Sequence, residues 1–152
     1  MRKSNQSANA FPLVRIYYAC TNCFKRISEC DCKLLPQAVS IDLNMQEPIR
    51  ILQSKGYNTI SCCESHNPNN PMYILFSRYN GIGDDNGFTD KIDPPSGFDV
   101  DSYGTCITYR YPDNTKMGDF NKLKKQHLDI LLEWCKNLPD HPEKPKQFPM
   151  FQ

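Results

Sequence analysis

Residues 44–77 read NMQEPIRILQSKGYNTISCCESHNPNNPMYILFS, and their pattern decides the fold. Asn44 is placed to cap a helix, with Glu47 three residues on and Pro48 in the first turn, where a missing N–H costs nothing. Ile49, Ile51 and Leu52 give that helix an apolar side, and Gly56 ends it. Residues 57–63 then read as a strand. Asn67, Pro68, Asn69, Asn70 and Pro71 form a turn, and residues 72–77 are the partner strand of a hairpin. The predicted unit is helix, strand, strand.

The same logic extends in both directions. Residues 11–19 alternate, with Val14, Ile16 and Tyr18 on one face and Leu13, Arg15 and Tyr17 on the other, and residues 38–43 form a second short strand. Residues 102–111 return to alternation, Tyr103, Thr105, Ile107, Tyr109 and Tyr111 sharing a half-buried face. From 117 to 138, Phe120, Leu123, His127, Ile130, Leu131, Trp134 and Leu138 recur at helical spacing. These elements predict an α+β fold: a small mixed or antiparallel sheet with two helices packed on it, plus an N-terminal zinc knuckle. The expected organisation is a disordered start (1–10), a strand and knuckle (11–36), a core domain (37–138) and a Pro-rich extended tail (139–152).

The knuckle rests on Cys20-Thr21-Asn22-Cys23 followed by Cys30-Asp31-Cys32, four cysteines in thirteen residues. Two short Cys pairs around a tight turn supply the four convergent thiolates that a zinc ion takes, and a closed four-thiolate site leaves no position for substrate. Zinc there is a folding staple and no catalyst. The competing readings are two local disulfides, of which a Cys-x-Cys bridge is strained, or four free thiols.

A second cluster, Ser61-Cys62-Cys63-Glu64-Ser65-His66, lies where a strand enters a loop. Cys63, Glu64 and His66 are the residue types of a nucleophile with its base, or of a metal site. Alternation puts Cys62 and Cys63 on opposite faces, so one of them faces the core. Against these stands a plainer reading, a small core cysteine beside ordinary polar loop groups.

The stretch from Ile49 to His66, with the strand Tyr73-Ile74-Leu75-Phe76, resembles a helix-Gly-Tyr-x-Thr-x-x-x-Cys-x-Gly-His-strand pattern found in small, mostly uncharacterised bacterial and phage proteins. A more distant likeness is to the wybutosine-synthesis methyltransferase family, whose Ser-Cys-Ser-Gly-Arg turn lies similarly between helix and strand. The likeness covers about thirty residues and implies turn positions for Cys63, Glu64 and His66. Ser65 stands where the small-protein pattern has Gly, and the Gly and Arg of the methyltransferase turn are both missing, so no methyl transfer is implied.

Composition narrows the function classes. The 152 residues carry a formal net charge of +1, which gives no global case for nucleic acid. No apolar run reaches the about 20 residues of a membrane span, and the polar start lacks a signal peptide's apolar segment, so the expectation is cytoplasmic with no membrane partner. Asp84, Asp85, Asp90, Asp93, Asp99 and Asp101 make residues 84–101 acidic, within a long loop. His127 reads as a hydrogen-bonded core histidine, and Cys106 and Cys135 as buried thiols.

Three roles follow. The first is a small zinc-binding module, of the bacterial or phage origin that the resemblance implies, with a binding or regulatory role and a site for a small molecule or protein near residues 62–66. The second is an enzyme using Cys63, Glu64 and His66 under the acidic loop as a lid. The third is a nucleic-acid accessory protein whose knuckle contacts phosphates through Arg15, Lys25, Arg26 and Lys33.

Overall fold

The computed structural model describes residues 16–20, 23, 25–32, 38–76, 82, 92–101 and 104–141. The expected disordered start, residues 84–91 of the acidic segment (Asp84, Asp85 and Asp90 included) and the tail beyond His141 lie outside the described residues.

The described residues form two antiparallel sheets and two α-helices, with the cysteine cluster at the N-terminal side. In the first sheet β1 (Ile16–Cys20) pairs with β2 (Ala38–Asp42), Ile16 opposite Asp42 and Cys20 opposite Ala38. The second sheet has the order β3 (Thr59–Cys63), β4 (Met72–Phe76), β6 (Cys106–Tyr109), β5 (Asp99–Val100). In β4 the period of two is complete: Met72, Ile74 and Phe76 are buried, and the residues between them are half-buried.

β2 runs through a 3-10 turn (Leu43–Met45) into α1 (Gln46–Ser54), which buries Pro48, Ile49 and Leu52. The end of α1 is a Schellman motif. Gly56 takes φ 91°, its N–H donates to the Gln53 carbonyl at 3.0 Å, and the Tyr57 N–H reaches back to Leu52 at 2.9 Å. The predicted N-cap is replaced. Asn44 makes no side-chain cap, because both its backbone N–H and its side-chain amide donate to the Glu64 carboxylate.

α2 (Met117–Asn137) buries Phe120, His127, Leu131 and Cys135, with Leu123, Ile130 and Trp134 packed against the core. It lies over β6: the His127 ring stacks on Tyr109 at 3.5 Å, and Phe120 meets Tyr111 at 4.9 Å. His127 Nδ1 is 2.8 Å from the Leu123 carbonyl, which satisfies its buried polarity. Gly97 lets this histidine sit close. It adopts φ +83°, and a Cβ there would stand 3.0 Å from His127 Nε2.

Lys55 holds the far end of α2, its ammonium donating to the carbonyls of Cys135, Lys136 and Leu138 at 2.9, 2.6 and 2.6 Å. Chain order continues past Leu138. The His141 N–H donates to the Lys55 carbonyl, and its buried ring stands edge-on to Tyr57. Cys135 is buried as expected, whereas Cys106 is only half-buried. No helix among the described residues is long and apolar enough to cross a membrane.

Candidate metal centre

The knuckle is the loop of the β1–β2 hairpin. Cys20 closes β1, and its N–H donates to the Lys25 carbonyl at 2.8 Å, while Ala19 bridges to Arg26. A 3-10 turn (Ile27–Glu29) then reverses the chain and brings Cys30 and Cys32 back to the first pair. The sulfurs of Cys20, Cys23, Cys30 and Cys32 all lie within 4.8 Å of one another. None of them is in a disulfide.

A tetrahedral zinc ion with Zn–S bonds of about 2.3 Å holds its sulfurs about 3.8 Å apart. Cys20 Sγ lies 3.8 Å from Cys32 Sγ. The Cys32 N–H points at Cys30 Sγ at 3.3 Å, the kind of outer bond that orients a thiolate for a metal. Electrostatics agree. At Cys30 the Cys32 N–H pulls the thiol down, yet desolvation and the crowding thiols of Cys32, Cys20 and Cys23 outweigh it and push the group up to about 12. Cys23 is raised as well, first by burial. A coordinating divalent ion reverses that cost at Cys23 and Cys30, because its charge favours the thiolate. The residues present fit a four-thiolate metal site.

The second cluster divides. Glu64 is 1% exposed and belongs to the architecture: its carboxylate accepts from the Asn44 N–H at 3.0 Å, from the Asn44 amide at 2.8 Å and from Lys124 Nζ at 2.7 Å. A carboxylate there faces the N-terminal end of the turn leading into α1, where partial positive charge gathers. Cys62 packs against the core, and burial pushes its thiol up to about 12. Cys63 points the other way, as alternation requires, and forms a group with His66 and Asp42 whose ligand atoms lie within 4.8 Å.

Ser65, between them, is fully buried at φ 80°, in the left-handed region. Its hydroxyl donates to the carbonyls of Asn67 and Asn70 at 2.9 and 2.7 Å, and its own carbonyl accepts from Lys124 at 2.9 Å. This conformation is one that glycine adopts freely and residues with a Cβ adopt rarely. The side-chain bonds hold serine in it.

Asp42 is the functional candidate that the sequence did not reveal. It ends β2, and its partners are 21 and 24 residues away in the chain, so no local motif joins them. Of the acidic segment, Asp101 is a turn-builder, accepting from the N–H and hydroxyl of Thr105 and from the Cys106 N–H. Comparison with family models, with curated proteins and with solved structures found no match.

Proposed function

We propose that this protein is a small zinc-stapled binding module, its zinc held by Cys20, Cys23, Cys30 and Cys32 and its ligand or partner met at the turn of residues 62–66. The observation that carries this reading is the convergence of the four sulfurs within 4.8 Å at the tip of one hairpin. Four thiolates close the coordination sphere, so the ion serves folding and leaves recognition to another surface. The turn supports that role: His66 is half-exposed, while the loop beneath it is tied down through Ser65, Asn67 and Asn70. A fixed backbone presenting a solvent-facing side chain is the usual construction of a binding loop.

The nucleophilic reading of Cys63 draws less support. A reactive thiolate needs cationic surroundings. Here burial, together with Asp42 and Glu64, raises the Cys63 thiol, and the Ser65 N–H only partly offsets them.

The test is a pair of variants in protein carrying one equivalent of zinc. Cys23→Ser loses the metal and melts at a clearly lower temperature, whereas His66→Ala keeps both the ion and the melting temperature. Equal melting in the two variants contradicts the division between staple and site.

A further inference from the structure

We propose that Asp42, Cys63 and His66 form a second divalent-metal site, open to solvent on its His66 side. It deepens the reading of residues 62–66 as the ligand face, on which it rests, by naming the ligand as a transition ion.

The three groups come from the ends of two strands in different sheets and from the turn that follows one of them. Asp42 closes β2, Cys63 closes β3, and His66 stands three residues on. Their ligand atoms lie within 4.8 Å of one another. His66 Nε2 is 3.7 Å from Asp42 Oδ2, beyond the about 3.2 Å of a good hydrogen bond. Two nitrogen or oxygen ligands on one tetrahedral ion, at bonds of about 2.0–2.1 Å, stand about 3.4 Å apart, close to this spacing.

Two of the three ligands are already oriented by outer bonds. The Glu64 N–H donates to Asp42 Oδ2 at 2.9 Å, and the Ser65 N–H donates to Cys63 Sγ at 3.3 Å. Such bonds fix first ligands in place before an ion arrives. Charge points the same way. Asp42 and Glu64 bring two carboxylates, and Lys124 is engaged with Glu64 and the Ser65 carbonyl, leaving a negative balance beside the thiol. A nucleophilic cysteine is ill served by that environment, whereas a divalent ion is attracted by it, takes Cys63 as thiolate and releases the thiol proton to solvent.

One sulfur, one imidazole and one carboxylate select zinc, cobalt, nickel or ferrous iron over magnesium and calcium, which prefer all-oxygen cages. Three protein ligands leave a fourth position. On the half-exposed His66 side that position takes water or an anionic group of a ligand, unlike the closed knuckle.

Cobalt(II) titration of the full reduced, metal-stripped chain, followed by the thiolate-to-metal charge-transfer and d–d absorption, tests this. Wild type is expected to take two equivalents, the first with an all-thiolate spectrum and the second with a weaker mixed-ligand one. In His66→Ala the second is lost or weakened more than tenfold while the first is unchanged, and Cys63→Ser removes the charge-transfer band of the second alone. A wild-type titration that ends at one all-thiolate equivalent overturns the second site and leaves the knuckle standing. Equal uptake of a second equivalent by His66→Ala also overturns it. Absence of any all-thiolate spectrum removes the zinc-stapled reading itself.

Discussion

Glu64 shows how much one buried charge organises. Its carboxylate joins the turn before α1 to α2 through Asn44 and Lys124, and its own N–H holds Asp42. Removing one member of a buried ion pair strands the other in a medium that cannot solvate it, at a cost of about 3–5 kcal/mol. Lys124→Met is therefore expected to lower the unfolding free energy by about that amount in denaturant melts. Adding Glu64→Gln should restore part of it. A Lys124→Met protein as stable as wild type would show that Glu64 is solvated after all. At this scale the sequence was legible in residue type and silent on role. Cys63, Glu64 and His66 stood out as a chemical cluster, yet nothing local distinguished the buried Glu64 from the half-exposed His66, because the partners of Glu64 lie 20 residues before it and 60 after.

Elements were more readable than their ends. The 3.6-residue period of α2 and the period of two in β4 follow from burying one face, so side-chain type alone reveals them. β5 was hidden. It has two residues, and its pairing with β6 comes from a tight turn built on Asp101, a contact that leaves no periodic trace. The α1 cap was misread for the same reason, since the carboxylate of Glu64, just after β3, serves the N–H and amide of Asn44. At the other end of the chain Lys55 does for α2 what a C-terminal cation does for a helix, although it lies on the loop after α1. Lys55→Met should cost about 1.5–3 kcal/mol, the range for hydrogen bonds to a charged group. Amide exchange should quicken over the last turn of α2 before it changes in β4. Unaltered exchange there would mean that α2 needs no such cap.

On the scale of the molecule, two sheets and two helices are held by contacts far apart in sequence, and buried protons add a pH limit. Burial pushes Cys62, Cys135, Tyr57 and Tyr111 up to about 12, from ordinary values of 9.0 for the thiols and 10.0 for the phenols. The folded chain thus keeps protons that the unfolded chain releases. Stability from these groups is complete below about pH 9 and declines as pH rises toward about 12. Metal-loaded protein should hold its melting temperature from pH 7 to 9 and lose it steadily above, and a flat profile to pH 11 would exclude these groups as buried. The joining of Asp42 to Cys63 and His66 belongs to this scale too, since it exists only once β2 and β3 are side by side. Cys20, Cys23, Cys30 and Cys32 were legible throughout, because their site closes within one hairpin. Zinc K-edge X-ray absorption on the His66→Ala protein loaded with one equivalent addresses that quartet most directly. Four sulfur neighbours at about 2.3 Å are expected. Nitrogen or oxygen in the coordination shell, or zinc that leaves on desalting, would contradict the thiolate staple.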